Sequence, residues 1–551
     1  MAAFERVWRK ARSFAFAFAI ASASDNDQES TLLGIAVCFD TTCVHFVSLA
    51  DDEWRSATKR VFAAQDRSGR VACKLTHTIR DSALTLVDKL GLDVGSLLGL
   101  GLVDPLLELR QFERQNVGAL HYVADRALPR RGLNVDAANL PPVEQALLRS
   151  AQALAAFKHP LLVDVVAQCQ LQSRVGVLLA EIEHAGVSID VERLASVRAR
   201  ATQLAQTCER RAVELGCVSD LAGLRAVVLP NGERLSLLSL DASAHPAAVW
   251  WARARRLESI LRHADSLAAL VRAPGVVHCR FDAQHENGRI NSLEPNLQCL
   301  PKALSVIVPD ASGSTDDEQF ALRGCVVARP GCVLVSADFR QMELCIVAAL
   351  SGEQRLLANG DAFVAVAALC GAGVTRALAK EAFYADLYGA GAATIALVLN
   401  CTKERAAAVQ KELQAGFPAV HAWREQVLCE CRAAGNVVAS PVYGSRRHIP
   451  ELSASDEFAR QAGERRAINA FVQGTAADIF KTVMLNVHMA IRDLGARILL
   501  PLHDELLVEV ASERVPVLEA LLLEHMCVRV CADSPRLEVA IRSGARWSDL
   551  V

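Results

Sequence analysis

The chain has 551 residues with a formal net charge of −3, a hydrophobic content of 52% and 17 cysteines. This length predicts three or four domains of about 150 residues each. The near-zero charge excludes a globally basic protein but leaves room for local basic faces. The cysteines are scattered without a CxxC pair, which excludes a zinc site of that kind and is typical of reduced thiols in an intracellular protein. No apolar run reaches the about 20 residues of a membrane span, so no membrane is expected as a partner.

The N-terminal half begins with MAAFERVWRKARSFAFAFAIASAS, in which basic residues precede an apolar run. This pattern is typical of a mitochondrial presequence or, alternatively, of the first helix and strand of a domain. Strand-like runs then fill residues 11–50 and favour the second interpretation, whereas residues 80–155 predict helices. Charged amphipathic patterns at 192–215 and 249–271 predict two long helices in an elongated helical subdomain.

The second half is predicted to alternate between strands and helices. Residues 309–319, PDASGSTDDEQ, are polar and turn-rich and predict a surface loop. An apolar strand follows at 332–339, and helical patterns fill most of 346–435 and 456–493. Towards the C-terminus, ARILLPLHDELLVEV (496–510) predicts strand, short turn and strand, and LEVAIRSGARWSDL predicts one more strand.

Two aspartates stand at the ends of predicted strands. Asp338 closes the strand in LVSADFRQMEL, and Asp504 lies in the turn between two apolar runs. If these strands are neighbours, their carboxylates converge at one edge of a sheet and repel each other unless a cation lies between them. Oxygen ligands suit Mg²⁺, and two such ions clamp the attacking and leaving oxygens of a phosphoryl transfer. The alternative is that each acid is a solvated turn residue.

A second pattern is a stripe of every fourth residue in TRALAKEAFYADLYGAG. A step of four drifts only about 40° around a helix, so two cations and then two aromatics share one face. The order suits a nucleoside triphosphate, with phosphates on the cations and sugar and base on the rings. The alternative is a solvated amphipathic face. The stripe consists of Arg376, Lys380, Tyr384 and Tyr388.

A third pattern repeats this spacing with Arg465, Asn469 and Gln473. Amide side chains on a helix face can hydrogen-bond base edges and sugars in a groove. Satisfied polar groups in a core are an equal alternative.

Taken together, these segments resemble the ordered motif set of family A DNA polymerases, the bacterial polymerase I group. The resemblance runs from about residue 170 to the end. It includes LLAEIEHAGVSID (178–190), GRINSLEPNLQCLP (288–301), AINAFVQGTAADI and LHDELLVEV. It implies an α+β right-hand polymerase fold of palm, fingers and thumb, behind a degenerate RNase H-like 3′–5′ exonuclease domain.

The resemblance also implies roles for the acidic and metal-binding residues. Asp338 and Asp504 resemble the metal-binding pair, and the backbone carbonyl of Phe339 resembles an extra ligand. Glu505 looks like an auxiliary catalytic acid, and Lys380 like a catalytic cation on the fingers. Two Mg²⁺ ions are the implied cofactors, with Mn²⁺ as a substitute.

The nucleotide-binding residues follow from the same resemblance. Glu343 looks like the steric gate that excludes a ribose 2′-hydroxyl and is held by Tyr388. Arg376 and Lys380 resemble the triphosphate contacts, and Tyr384 stands where an aromatic ring meets the incoming sugar.

The DNA contacts complete the implied site. Arg289, Arg465, Asn469 and Gln473 resemble minor-groove and template contacts. His503 looks like a contact to the primer terminus.

Several positions point to a branch of the family. Tyr384 and Phe363 look more like the eukaryotic repair polymerases theta and nu than the bacterial members. Three residues depart from the family pattern and put full activity in doubt: Cys345 stands for an arginine, Ala385 for a glycine, and Asp386 for an apolar residue.

The N-terminal domain resembles the exonuclease only in outline. Where the first Asp-x-Glu would stand, this chain has Ala19 and Ala21, so a two-metal hydrolytic site is not expected. The implied division is an inactive exonuclease-like domain (1–160), thumb (161–275), first palm part (276–345), fingers with adjoining helices (346–480) and second palm part (481–551).

The implied function is template-directed addition of dNTPs to a primer end without proofreading, in theta-mediated end joining or translesion synthesis. Primer-template DNA is the implied partner, the chain is expected to be a nuclear monomer, and a helicase-like protein, separate or fused, is a further candidate partner. The alternatives are a catalytically weak DNA-binding or scaffold protein with a polymerase fold, and a mitochondrial replicative or repair polymerase.

Overall fold

The computed structural model describes residues 13–21, 31–40, 43–48, 58, 62, 73–76, 79–88, 102–103, 166–215, 246–283, 285, 287–302, 304–309, 315–357 and 361–550. The basic segment before residue 13, which carries the presequence hypothesis, lies outside the described residues, as does most of 80–155. No helix of the described part is long and apolar enough to cross a membrane.

Five N-terminal strands form a mixed sheet in the order β3-β2-β1-β4-β5. They are β1 (Ser13–Ala21), β2 (Thr31–Asp40), β3 (Cys43–Ser48), β4 (Cys73–Thr76) and β5 (Leu102–Val103), with helix α1 (Ile79–Asp88) after β4. Strand β1 pairs antiparallel with β2 and parallel with β4. The strands expected at 11–50 are therefore confirmed. The helical expectation for 80–155 holds at α1 and is wrong at β5, because a short apolar run does not distinguish a strand from a buried helix.

Two long helices follow, as the amphipathic patterns predict. The segment contains α2 (Val166–Ala185), β6 (Val187–Ser188), α3 (Val191–Glu214), α4 (Pro246–Leu270) and β7 (Val276–Val277). Helix α2 stops at Gly186, whose φ of 67° lies in the left-handed region that glycine adopts without strain. Asp190 caps α3 by accepting the backbone N–H of Arg193 at 2.9 Å. The apolar stripe of α3 packs against α4.

The central sheet has four antiparallel strands in the order β15-β16-β12-β17. They are β12 (Cys332–Phe339), β15 (Arg497–Leu502), β16 (Glu505–Ala511) and β17 (Val539–Gly544). The strand, short turn and strand expected at 496–510 are thus confirmed as β15 and β16. The apolar residues of β15 and β16 are buried on both faces of the sheet.

Helices follow the strands of this sheet along the chain. They are α5 (Met342–Ser351), α6 (Ala362–Cys370), α7 (Arg376–Leu387), α8 (Ala392–Leu399), α9 (Lys403–Gly416), α10 (Pro418–Ala433), α11 (Glu457–Ile491) and α12 (Val515–Met526). Two short antiparallel strand pairs lie outside this sheet: β8 (Phe281–Asp282) with β9 (Asn291–Ser292), before β12, and β13 (Val437–Ala439) with β14 (Arg446–His448), between α10 and α11. The chain thus leaves the central sheet after β12 and returns to it at β15.

The prediction of a surface loop at 309–319 is wrong in part. Strands β10 (Leu304–Pro309) and β11 (Thr315–Phe320) form an antiparallel hairpin, so half of the polar segment is paired backbone. Its acidic composition disfavours a strand, and pairing with the apolar β10 overrides that preference. The predicted domain boundaries stay a prediction.

Candidate active site

The central sheet brings the two predicted metal-binding aspartates together. Strand β12 pairs with β16 so that Asp338 lies opposite Glu505. The turn before β16 places Asp504 beside the end of β12, where the backbone N–H of Phe339 donates to the carbonyl oxygen of Asp504 at 3.2 Å. His503 begins this turn with a left-handed φ of 57°. Backbone pairing therefore places three acids at one edge of the sheet although 165 residues separate the first from the second.

The electrostatics of this edge favour a bound cation. The Asp338 side chain is exposed to solvent, yet neighbouring atoms desolvate its carboxylate, and the charges of Asp504 and Glu505 add to this effect. Together they raise the pKa of Asp338 to about 6. Burial likewise raises the pKa of Asp504. Crowded carboxylates of this kind are relieved by a divalent cation.

Basic residues beside these acids were not predicted from the sequence. Ser336 donates to Glu505 at 2.5 Å, and both line a cleft with Asp338. Three cations complete the cleft: Lys302, Arg323 and Arg542. Strand alternation is the sequence signal that could have found Arg542. Residues two apart on a strand share one face of a sheet, so Ser336 and Asp338 lie on the same face. Arg542 on β17 pairs with Ser336 and therefore lies on that face too.

The protein offers few side-chain oxygen ligands at this site, and this suits magnesium. Within the described ranges, no group of three or more His, Cys, Asp or Glu side chains is arranged to hold a metal ion. A cation between Asp338 and Asp504 would therefore complete its shell with water, a backbone carbonyl and phosphate oxygens of the substrate. Mg²⁺ commonly binds in this way.

Helix α7 presents the predicted stripe, but its cationic end is already engaged. Arg376 forms an ion pair with Asp361, the residue that caps α6. The Arg376 guanidinium lies 5.6 Å from the ring centroid of Phe363, and the Lys380 ammonium lies 5.9 Å from the same ring. Both cations remain exposed to solvent. A phosphate that binds Arg376 would have to compete with Asp361.

The aromatic end of the stripe meets Glu343. Tyr384 and Tyr388 stack with their ring centroids 6.1 Å apart. The Tyr388 hydroxyl donates to Glu343 at 2.6 Å, and Arg289 contacts the other oxygen of that carboxylate at 2.5 Å. Burial, with the nearby Glu343 charge, raises the pKa of Tyr388 well above its usual value, so the hydroxyl stays protonated and donates. The structure thus joins three predicted residues that lie on three separate segments.

The predicted DNA contacts lie on neighbouring surfaces. Gln473 accepts a hydrogen bond from Asn287 at 3.1 Å. The Asn469 side-chain oxygen is buried and receives no hydrogen bond from the part of the chain that the structure describes. Arg465 is exposed on the same helix. Partial desolvation and the Arg289 charge lower the pKa of His503, which favours its neutral form.

Comparison with known proteins decides the family. The family description "DNA polymerase family A" matches residues 230–549, more than half of the chain. The chain belongs to DNA polymerase family A. The sequence-based expectations of family A and of a polymerase fold with mixed helices and sheets are therefore confirmed.

Relatives of this family A protein include bacterial polymerases. The thermostable DNA polymerase I of Thermus thermophilus is 32% identical over 409 residues, which cover 67% of this chain and 46% of that protein. DNA polymerase I of Mycobacterium tuberculosis is 30% identical over 403 residues, 67% of this chain and 43% of that protein. The chain spans about half the length of the curated relatives it matches.

A solved family A structure covers the whole chain. The POL domain of Pol1 from M. smegmatis, in complex with DNA primer-template and dNTP, matches 100% of this chain and 98% of its own with a TM-score of 0.81. Sequence identity over this match is 25%.

The departures from the family pattern lie beside the stripe. Asp386 is buried and accepts a hydrogen bond from Gln410 at 3.0 Å, so it lies on the buried face of α7 and not on the stripe. Cys345 is half-buried on α5, with its sulfur 3.9 Å from the carbonyl oxygen of Arg340. Neither residue displaces Asp338 or Asp504.

Proposed function

We propose that this family A protein is a template-directed DNA polymerase that adds dNTPs to the 3′ end of a primer. The observation that carries the proposal is the backbone pairing of β12 and β16, which places Asp338, Asp504 and Glu505 at one edge of the sheet. The M. smegmatis Pol1 domain, which is similar over the whole chain, binds primer-template DNA and dNTP.

In this proposal the palm residues hold the reacting groups. Asp338 and Asp504, with the carbonyl of Phe339, would hold two Mg²⁺ ions, for which Mn²⁺ can substitute. When bound, these ions supply charge neutralisation at the phosphate and a lower pKa for the primer hydroxyl. Glu505, tied to Ser336, supports the pair as an auxiliary acid. The neutral form of His503 is suited to contact the primer terminus.

The fingers residues select and hold the nucleotide. Arg376 and Lys380 would bind the triphosphate once Arg376 leaves Asp361. Tyr384 would lie against the sugar, and Glu343, held by Tyr388, would exclude a ribose 2′-hydroxyl.

The DNA duplex would lie against the predicted contacts. Arg289, Arg465, Asn469 and Gln473 are suited to the minor groove and template near the new base pair. The Asn469 oxygen, which is buried and accepts no hydrogen bond from the described residues, offers an acceptor for such a contact. The cations Lys302 and Arg542 add positive charge to the palm side of this path.

The finer role that we propose is repair synthesis without proofreading, of the theta or nu type and in the nucleus. Strand β1 ends with Ala19 and Ala21 where the exonuclease resemblance expects acids, which supports an inactive exonuclease-like domain. The resemblance of Phe363 and Tyr384 to the residues of the theta and nu polymerases supports the theta-like branch. Extension on undamaged, abasic and microhomology-ended templates tests this role. If the protein first removed a mismatched 3′ nucleotide and then extended that primer as well as a matched one, it would be proofreading, and the proposal would be contradicted.

The test of polymerase activity is primer extension with Mg²⁺ by the wild type and Asp338→Asn. We expect the variant to lose synthesis and to keep its affinity for primer-template DNA, because a neutral isostere removes a metal ligand and leaves the DNA surface intact. Equal synthesis by both proteins would rule out the assigned site. DNA binding without synthesis by the wild type would instead favour the scaffold alternative.

A further inference from the structure

The buried face of α7 carries one acid among apolar residues. Ala379, Ala382, Phe383 and Leu387 form this face, and Asp386 lies among them with 5% of its surface exposed. Two positions along a helix differ by about 200°, so Asp386 lies opposite Tyr384 and behind the stripe that faces the nucleotide. A buried carboxylate is stable only with partners that satisfy it.

Asp386 finds these partners on two other helices. One carboxylate oxygen accepts a hydrogen bond from Gln410 on α9 at 3.0 Å. The other lies 3.4 Å from the Nε2 atom of His421 on α10. The same Gln410 nitrogen donates to the carbonyl oxygen of Ala390 at 3.0 Å, just beyond the end of α7. These contacts hold the last turn of α7 in place on its buried side.

The front of the same turn holds the sugar-selecting contact. Tyr388 follows Asp386 by two residues and donates to Glu343 at 2.6 Å. The backbone closes the turn, because Gly389 donates its N–H to the Asp386 carbonyl at 2.9 Å. A displacement of this turn by about 1 Å would break the Tyr388 hydrogen bond, since such bonds weaken steeply beyond their normal length.

We propose that Asp386 is a positioning residue for nucleotide selection. Through Gln410 and His421 it fixes the C-terminal turn of α7, and so it keeps Tyr388 on Glu343 and preserves discrimination against ribonucleotides. An apolar residue would fill the same space without directional bonds, and the turn would be free to shift. This inference deepens the proposed function and rests on it.

The experiment compares Asp386→Leu with Asp386→Asn. Single-nucleotide insertion is measured with dCTP and rCTP opposite a template guanine, and the ratio of the two kcat/KM values gives the discrimination. We expect Asp386→Leu to lower the ratio about tenfold, the effect of losing one charge-assisted hydrogen bond. Asp386→Asn still accepts from Gln410 and should stay within about threefold of wild type. Glu381→Leu, which changes an exposed acid on the same helix, is the matched control.

Two further variants separate positioning from general damage. In a Tyr388→Phe background, Asp386→Leu should cause no further loss of discrimination, because its effect passes through the Tyr388 hydroxyl. Gln410→Leu should reproduce the phenotype if Asp386→Leu does not fold.

Several results would overturn the inference. An unchanged ratio in folded, active variants would contradict it, as would an equal fall in both kcat/KM values or additive losses in the double variant. Such results would leave the polymerase assignment standing. Absence of extension by the wild type would overturn both.

Discussion

The central sheet and helix α7 both carry residues of the site, but they hold them by different means. In the sheet, Asp338 and Asp504 are placed by backbone hydrogen bonds between strands. On the helix, Arg376 and Tyr388 are held by side chains, Asp361 and Glu343 respectively. The sheet is therefore arranged before any substrate arrives, whereas in the proposed function Arg376 must leave Asp361 to bind a triphosphate.

This difference teaches where substitutions should act. A change in the sheet removes a ligand without moving its neighbours, so chemistry is lost while the frame survives. A change on the helix alters a competition between side chains, so affinity or selectivity moves in either direction. The following predictions test that division.

The largest effect is expected from Asp504→Asn in the sheet. Loss of a metal ligand removes several kcal/mol of transition-state stabilisation, so kcat for primer extension should fall about 1,000-fold or more. Single-turnover extension measures this. Asp533→Asn, an exposed aspartate in the turn before β17, is the control and should stay near wild type. Substantial activity in Asp504→Asn would show that the sheet edge is not the catalytic centre.

The second prediction concerns the cationic end of α7. Arg376→Ala should raise KM for dNTP roughly 10- to 100-fold, because it removes a charge-assisted contact to phosphate. Asp361→Asn should lower KM by up to about fivefold, since it releases Arg376 from an exposed ion pair and keeps a side chain that caps α6. Steady-state kinetics separate KM from kcat.

The control for this pair is Asp456→Asn, which changes the capping aspartate of α11. If Asp361→Asn and Arg376→Ala both raise KM, Asp361 orients the arginine instead of competing with phosphate.

The third prediction concerns the aromatic end. Tyr388→Phe removes the hydrogen bond to Glu343 and should reduce the preference for dNTP over rNTP about tenfold. This factor corresponds to the free energy that a hydrogen bond to a charged group contributes. Competition between dCTP and rCTP measures it. Tyr443→Phe changes a tyrosine outside the stripe and should leave the preference intact. A preserved preference in Tyr388→Phe would show that Arg289 alone holds the gate.

The smallest effect is on stability. The pKa of Asp338 is raised to about 6 from an unfolded value of about 3.9, so the folded chain binds a proton that the unfolded chain releases. This contribution to stability is present below pH 4 and lost as the pH rises to 6. Asp338→Asn does not lose stability in this way, because asparagine carries no proton to release in this pH range. It should therefore gain thermal stability relative to wild type across this window, by about 1 kcal/mol or less because the side chain is exposed.

Thermal melts in the presence of a chelator measure this difference at pH 4, 5, 6 and 7. If the difference in melting temperature between Asp338→Asn and wild type does not grow from pH 4 to 6, the electrostatic argument is contradicted. Asp533→Asn again serves as the control.

The sequence was sufficient to predict that Asp338 and Asp504 meet, because the signals for the strands that carry them are local. Asp504 lies between two apolar strands, and Asp338 ends a third, so their meeting required only that these strands be neighbours. The stripe on α7 likewise followed from a spacing of four. The prediction that Glu343 acts as a steric gate needed the family resemblance.

What the sequence did not reveal depends on contacts between distant segments. Arg289 reaches Glu343 across 54 residues, and Lys302 and Arg542, which lie far apart in the sequence, both line the cleft beside Asp338. The Asp361–Arg376 pair was missed because the resemblance assigned Arg376 to a triphosphate, and its partner lies 15 residues earlier, before a different helix. Tertiary packing, which periodicity does not report, decided these pairings.

Strand β17 has a consequence for the synthesis of the protein. It pairs with β12 directly alongside Asp338, and β16 lies on the other side of β12, so both neighbours are translated long after β12 itself. A ribosome must therefore continue past residue 544 before the sheet can close around the two aspartates. Until then the nascent chain carries α7 but lacks the strand pairing that brings Asp338 and Asp504 together, so under the proposed function it has no centre for phosphoryl transfer.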